Sequence, residues 1–161
     1  LASEAVAAVG SLAEQRGVVL ETRLEEGLPA LAVDRDRLLQ VLLNLLSNAL
    51  KFCPDGGWIA VDARAGAEDI EISVSDDGPG VAAAERETIF ERFHQAERRR
   101  AGAHHGIGLG LAICREIVAR HGGRIWVEPS ERGGARFAFV LPLRPRPDAA
   151  GAAPAAAGAG A

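Results

Sequence analysis

Residues 34–52, DRDRLLQVLLNLLSNALKF, are predicted to form one long amphipathic helix, because their apolar side chains recur at helical spacing. Asp34 is placed to cap the N-terminus of this helix. Cys53 ends it, because the residue before a proline is pushed out of the helical conformation. At about 100° per residue, the polar side chains fall in one narrow sector. This sector, the asparagine stripe, comprises Arg37, Gln40, Asn44, Asn48 and Lys51.

The asparagine stripe has two interpretations: an ordinary solvent-facing side of the helix, or a cation site. Glu, Lys and Gln favour helix more than the asparagines at positions 44 and 48, which speaks against the first interpretation. An amide oxygen suits a hard cation such as Mg²⁺, which keeps several waters and also binds substrate phosphates. Lys51, a turn further on, would then reach a phosphate.

Periodicity predicts a helix and a strand before this stretch, and a hairpin after it. Apolar spacing indicates a helix over residues 3–15 with Ser3 as its cap, and a strand follows from Val18. Two alternating runs rich in β-branched residues, from Trp58 and from Asp69, are typical of paired strands.

The second half of the chain contains a loop-rich segment, a helix and two strands. Short helical turns around residues 85–93 precede a polar loop, and a glycine loop then opens a helix that Gly122 or Gly123 ends. The strands GRIWVEP and ARFAFVLP complete the order. This order predicts an α+β two-layer sandwich with helices on one face of a mixed sheet.

Composition excludes several classes of protein. A formal net charge of −4 argues against a general nucleic-acid-binding surface. Cys53 and Cys114 lack CxxC spacing, so we expect two reduced core thiols in a cytoplasmic protein. No apolar run approaches the roughly 18 residues of a membrane span. Residues 144–161 lack bulky apolar side chains and are predicted to form a disordered Ala/Gly/Pro-rich tail after one domain, residues 1–143.

Two glycine loops lie where a strand ends and where a helix begins. VSDDGPGV contains Asp76, Gly78 and Gly80, and HGIGLGLAIC contains Gly106, Gly108 and Gly110. Neither matches the GxGxxG dinucleotide fingerprint or the phosphate loop that ends in Gly-Lys-Ser/Thr. Tight structural turns are one interpretation of each loop taken singly.

Taken together, the two loops suit the two ends of ATP. Glycines let backbone N–H groups approach a phosphate, and the positive end of the following helix faces that phosphate. The carboxylate of Asp76 suits the other end, because it can accept a hydrogen bond from an exocyclic amino group such as that of adenine.

Five segments, read in chain order, resemble the sequence boxes of sensor histidine kinases. They are DRDRLLQVLLNLLSNALKF (N box), VSDDGPG (first glycine box), IFERF (phenylalanine box), GIGLGLAI (second glycine box) and GGARFAFVLP (last glycine box). The resemblance spans roughly Leu1 to Pro142. It implies the ATP-binding fold shared with DNA gyrase: a mixed, mostly antiparallel sheet of about five strands, covered on one face by three helices, with a flexible ATP lid.

The resemblance implies roles for the asparagine stripe. Asn48 is implied as the Mg²⁺ ligand, with Asn44 one turn earlier, near the metal and phosphates, and Lys51 as a phosphate contact. Hydrolysing relatives carry a glutamate at the position of Asn44 that activates water. An amide cannot act as a general base, so the sequence favours phosphoryl transfer over hydrolysis.

The adenine end and the lid follow from the same resemblance. Phe52 is implied to pack on adenine, and Asp76 to read its amino group in a pocket shaped by Gly78 and Gly80. Residues 96–105 correspond to the lid, where His105 replaces a glycine common in the family. Arg98 to Arg100 have two interpretations: side chains that approach the phosphates, or a solvated run of charges. Phe90 and Phe93 match the box at the near end of the lid. The lid's far end and the phosphate loop are matched by Gly106, Gly108 and Gly110, with Leu109 and Leu111 packing beneath.

The phosphoacceptor histidine of the family lies on a separate, upstream dimerisation domain, usually before an acidic residue. None of His94, His104, His105 and His121 has that context. The chain begins at Leu1 and contains no methionine, so we expect it to be the monomeric catalytic part of a longer, homodimeric protein. The expected partners are that dimerisation domain and a response regulator. Three alternatives share the fold: a serine kinase of the anti-sigma type, an inactive nucleotide-binding regulatory module, and a gyrase-like ATPase.

Overall fold

Helices and strands form two layers in the computed structural model, which describes residues 1–93 and 109–144. In chain order the elements are α1 (Ala2–Gln15), β1 (Val19–Leu24), α2 (Arg35–Phe52), β2 (Trp58–Ala65), β3 (Asp69–Asp76), α3 (Gly110–Arg120), β4 (Arg124–Pro129) and β5 (Ala135–Pro142). Two 3-10 turns, Ala83–Glu85 and Thr88–Phe90, follow β3 where short helical turns are predicted.

The five strands form one mixed sheet in the order β1-β2-β3-β5-β4. β1 pairs with β2 in parallel, and the other three pairings are antiparallel. The predicted hairpin is confirmed as β2 and β3. This arrangement confirms the predicted α+β two-layer sandwich, with three helices in the described part of the chain.

The core lies between α2 and one face of the sheet. Leu42, Leu45 and Leu46 of α2 are at most 1% exposed, because the helix directs its apolar sector at the sheet. Alternate residues of the central strands meet them, including Val74 of β3 and Phe139 of β5. α2 is also packed between α1 and α3, so this helix is the centre of the helical layer.

Both predicted ends of α2 are confirmed. The side chain of Asp34 accepts hydrogen bonds from the N–H groups of Asp36 and Arg37, at 3.1 Å each. At the other end Cys53 leaves the helix with an extended ψ of 136°, as a residue before proline does. The predicted cap of α1 is wrong: α1 begins at Ala2, so Ser3 lies exposed within the first turn and makes no capping hydrogen bond.

Several predictions concern residues outside 1–93 and 109–144. These are the lid at residues 96–105 with Arg98 to Arg100, the histidines His94, His104 and His105, the glycines Gly106 and Gly108, and the tail beyond Arg144. Within the described ranges, no helix combines the length and apolar character that crossing a membrane requires. Cys53 and Cys114 are both buried free thiols, as predicted.

Candidate nucleotide-binding site

Three segments meet at one end of the sheet: the last turn of α2, the loop after β3, and the turn between β4 and β5. A Cβ atom on Gly78 would lie 2.8 Å from the carbonyl oxygen of Phe52, so only glycine fits between α2 and the end of β3. A Cβ atom on Gly134 would lie 2.6 Å from Oδ1 of Asp76, so the β4–β5 turn packs directly against the end of β3. Asp76 is therefore enclosed from both sides.

The carboxylate of Asp76 is the most buried charged group of this end, with 3% of the residue exposed. Its Oδ1 accepts hydrogen bonds from the N–H of Gly78 at 2.9 Å and from the N–H of Ala135 at 3.1 Å. Burial raises the pKa of the Asp76 carboxyl, and the charge of Asp77 acts in the same direction. Both described donors go to Oδ1, which leaves Oδ2 available to a ligand N–H.

Glycines give the loop after β3 its close approach to the β4–β5 turn. Gly80 has a φ of 70°, a left-handed conformation that glycine adopts without steric cost. A Cβ atom there would also lie 3.2 Å from the carbonyl oxygen of Gly134. The predicted pocket residues Asp76, Gly78 and Gly80 are thus brought together in space.

The asparagine stripe is half-buried over most of its length. Arg37 at its start is exposed, whereas Gln40, Asn44, Asn48 and Lys51 are each of intermediate burial. The stripe is therefore not a fully exposed side of α2. The stripe runs toward Phe52 and the enclosed carboxylate.

Asn44 faces the start of α3. A Cβ atom on Gly110 would lie 3.9 Å from Cγ of Asn44, so the missing side chain leaves space between the amide and the first turn of α3. The thiol of Cys114 is on the same side: burial raises its pKa to about 12, and the Asn44 side chain acts in the opposite direction. The thiol therefore stays protonated at neutral pH.

The residues of the predicted phosphate end lie on two helices: Lys51 in the last turn of α2, and Leu109 and Gly110 at the start of α3. Nζ of Lys51 lies 5.5 Å from the ring centroid of Phe52, so the ammonium and the aromatic ring occupy the same end of α2. α3 begins at Gly110 after a half-buried Leu109, whose side chain makes no capping hydrogen bond. Within the described residues, the first N–H groups of α3 are therefore not taken by a side-chain cap.

The two phenylalanines at the near end of the predicted lid differ in environment. Phe90 is buried and packs edge-to-face on Phe137 of β5, with ring centroids 6.2 Å apart. Phe93 is 70% exposed and has a φ of 63°. Leu111 is buried beneath the start of α3, as predicted.

Three residues near Asp76 are missed by the sequence analysis: Ser130, Gly134 and Ala135. They lie in the β4–β5 turn and at the first position of β5, more than 50 residues from Asp76 along the chain. The adjacent glycines Gly133 and Gly134, within the last glycine box, are the signal that could have found them.

The chain matches the family model described as histidine kinase-, DNA gyrase B- and HSP90-like ATPase over residues 33–145. It is 40% identical over 127 residues to the adaptive-response sensory kinase SasA of Nostoc sp., a match that covers 78% of this chain and 31% of SasA. The chain thus spans less than a third of the length of that relative.

Solved structures of similar fold come from histidine kinases. The nucleotide-free catalytic domain of ThkA has a TM-score of 0.78 and 28% identity, covering 90% of this chain and 92% of that one. ThkA in complex with the response regulator protein TrrA has a TM-score of 0.75 and 28% identity, covering 89% and 39%. Full-length ShkA in complex with AMPPNP has a TM-score of 0.78 and 33% identity, covering 90% and 30%.

Proposed function

Because this chain belongs to the histidine kinase-, DNA gyrase B- and HSP90-like ATPase family, we propose that it is the ATP-binding catalytic domain of a sensor histidine kinase. It binds Mg-ATP and transfers the γ-phosphoryl group to a histidine of a separate dimerisation domain, within a two-component pathway that includes a response regulator. The observation that carries the proposal is the enclosed Asp76 carboxylate, held by two N–H groups with one oxygen left for a ligand. The complexes of ShkA with AMPPNP and of ThkA with a response regulator support it.

The adenine end of the site consists of Phe52, Asp76, Gly78 and Gly80. In our proposal Oδ2 of Asp76 accepts a hydrogen bond from the adenine amino group, and the Phe52 ring packs on the base. Gly78 and Gly80 keep the loop close enough for the base to reach the carboxylate, because a side chain at Gly78 would collide with α2. Recognition of the base thus depends on a group that a purine without the amino substituent cannot satisfy.

The phosphate end consists of Lys51 with the glycine loop, where Gly106, Gly108, Leu109 and Gly110 are the proposed contacts. The positive end of α3 favours an anion there, and Lys51 adds a full positive charge from α2. Transfer in such a site depends on positioning and on neutralising phosphate charge rather than on covalent chemistry by the protein.

Asn48 is the residue that we propose to hold Mg²⁺. Among residues 1–93 and 109–144 no group of three or more His, Cys, Asp or Glu side chains could hold a metal ion. The half-buried amide of Asn48 suits a cation that takes one protein oxygen and completes its shell with water and phosphate oxygens. When bound, Mg²⁺ supplies charge neutralisation of the phosphates.

Asn44 favours transfer over hydrolysis. An amide cannot take a proton from water, and the Cys114 thiol beside it, with its pKa raised to about 12, cannot do so at neutral pH either. Neither described group next to the start of α3 therefore acts as a general base. We propose that Asn44 orders the surroundings of the phosphates rather than activating a nucleophile.

A transfer assay with labelled ATP tests the proposed function. The chain is mixed with Mg²⁺, γ-labelled ATP and a helical dimerisation domain from a sensor histidine kinase, and the matched control is the same domain with its acceptor histidine replaced by alanine. We expect acid-labile label on the dimerisation domain only when its histidine is present. Acid-stable label on a serine, or release of phosphate without protein labelling, would contradict the proposal and favour a serine kinase or an ATPase.

A further inference from the structure

The turn between β4 and β5 is tied to the backbone of Asp76 by one buried hydroxyl group. Ser130 is 7% exposed, and its Oγ donates to the carbonyl oxygen of Asp76 at 2.6 Å. The same Oγ accepts a hydrogen bond from the N–H of Gly134 at 3.0 Å and from the N–H of Arg132 at 3.3 Å. One hydroxyl thus joins the end of β3 to three positions of the turn.

The backbone directly after this turn also donates a hydrogen bond to the Asp76 side chain. Gly134 packs against Asp76 so closely that a Cβ atom would lie 2.6 Å from Oδ1. The next residue, Ala135, donates its N–H to that oxygen at 3.1 Å. Retreat of the turn would lengthen this bond and leave Oδ1 with the N–H of Gly78 as its one described donor, so the direction of Oδ2 would be less fixed.

A second set of contacts joins the turn to β1 and to the start of β2. The guanidinium of Arg132 lies 4.2 Å from the ring centroid of the buried Trp58. Glu131 pairs with Arg23 of β1 at 3.0 Å, in an exposed position. The Glu131 ion pair is exposed and contributes little to holding the turn. Among the side chains of the described turn, Ser130 is the one that bonds directly to Asp76.

We infer that Ser130 is a positioning residue for adenine recognition, acting through the β4–β5 turn to fix the direction in which Asp76 presents its free oxygen. This inference rests on the proposed function, because it assigns Asp76 to the adenine amino group. Ser130 itself touches no part of the nucleotide. Its removal should therefore weaken the choice of base more than it weakens binding of the phosphates.

Paired nucleotide titrations test the inference. Dissociation constants are measured for ATP and for purine riboside triphosphate, which lacks only the exocyclic amino group. We expect the wild-type chain to prefer ATP by about tenfold or more, as one hydrogen bond to a carboxylate provides. Ser130→Ala should reduce that preference severalfold with little change for purine riboside triphosphate, and Ser130→Thr, which keeps the hydroxyl, should restore it.

The ratio of the two dissociation constants distinguishes a positioning role of Ser130 from an effect on stability. A partly unfolded sample loses binding sites for both nucleotides equally, which leaves the ratio unchanged. Glu131→Gln, an exposed change in the same turn, is the matched control and should leave the ratio at the wild-type value. An unchanged ratio in Ser130→Ala, or an equal loss for both nucleotides, overturns the inference alone. Failure of the wild-type chain to bind ATP, or an unchanged ratio in Asp76→Asn, overturns the proposed function as well.

Discussion

At Asp76 two opposing effects act on one carboxyl group. Burial and the nearby charge of Asp77 raise its pKa, whereas the N–H groups of Gly78 and Ala135 favour the ionised form. The net direction is upward, so ionising this carboxyl costs more free energy in the folded chain than in the unfolded chain. A buried position with a purely structural role would more often carry an amide or an apolar side chain. A ligand that binds the carboxylate would explain why the charged residue is present.

The variant Asp76→Asn should separate stability from binding. The amide oxygen keeps an acceptor for both N–H groups but carries no charge, so we expect the free energy of unfolding at neutral pH to be unchanged or higher. ATP affinity should fall by about tenfold or more, because the amide loses a charged hydrogen bond. Denaturant unfolding and nucleotide titration measure the two quantities, and a clear loss of stability with unchanged ATP affinity would contradict the assignment.

The pH dependence of the difference in unfolding free energy between wild type and Asp76→Asn tests whether the charge of Asp76 causes that difference. A raised folded-state pKa means that the cost of the charge is present above that pKa and disappears as the pH falls toward the ordinary value of 3.8. Any stability advantage of Asp76→Asn should therefore shrink on acidification. An advantage that stays constant with pH would mean that the charge of Asp76 is not its source.

Individual residues of the site were predictable where a local pattern carries them. Asn44, Asn48 and Lys51 stand on one stripe of a helix whose period is visible in the sequence, and the structure shows that stripe half-buried. Ser130 was not predictable, because nothing next to it in the chain indicates that its hydroxyl meets the carbonyl oxygen of Asp76. Contacts between distant segments arise only when the sheet has formed.

The element that organises the site is α2, and its C-terminal end is held from outside. Arg16, at the end of α1, donates from Nη2 to the carbonyl oxygen of Cys53 at 2.8 Å and from Nη1 to that of Leu50. Its Nε pairs with Asp55 at 2.7 Å. The last carbonyl groups of a helix lack partners within the helix, so this guanidinium completes the end that carries Lys51.

Arg16→Met should destabilise the fold through the end of α2. Methionine keeps an apolar stem but removes the donors. The carbonyl groups of Leu50 and Cys53 lose this partner together, and because they are part-buried, water replaces some of it and the joint cost is about 1–3 kcal/mol. We expect the free energy of unfolding to fall by about that amount in denaturant titrations. The matched control is Asp55→Asn, which removes only an ion pair whose acid is 80% exposed and should cost less than about 1 kcal/mol. Equal effects of the two changes would show that the carbonyl contacts contribute nothing.

The ends of helices were more predictable than the pairing of strands, because local residues set the former and distant segments the latter. Both ends of α2 follow from local chemistry, the Asp34 cap and the proline after Cys53, and the structure has them there. The cap of α1 at Ser3 is wrong because a helix can begin one residue earlier without a side-chain cap. The pairing of β3 with β5 and of β1 with β2 joins segments separated by whole helices, which periodicity within one segment cannot specify.

At the scale of the whole molecule, the mixed sheet brings the two halves of the chain to one site. α2 and β3 supply the asparagine stripe and the Asp76 pocket, and the second half supplies the start of α3 and the turn before β5. Neither half contains all of these groups, so the candidate site requires the strand order observed in the sheet. The fold and the proposed chemistry therefore depend on the same long-range pairings.

Calorimetric titration of the chain with ATP, with and without Mg²⁺, measures the role of Asn48 in Mg-ATP binding when wild type is compared with Asn48→Ala. The matched control is Arg37→Ala, at the exposed start of the same stripe. We predict that wild type and the control bind ATP more tightly with Mg²⁺, and that Asn48→Ala stays folded but loses that gain. A gain from Mg²⁺ that survives unchanged in Asn48→Ala, or absence of ATP binding by the wild-type chain, would contradict the account.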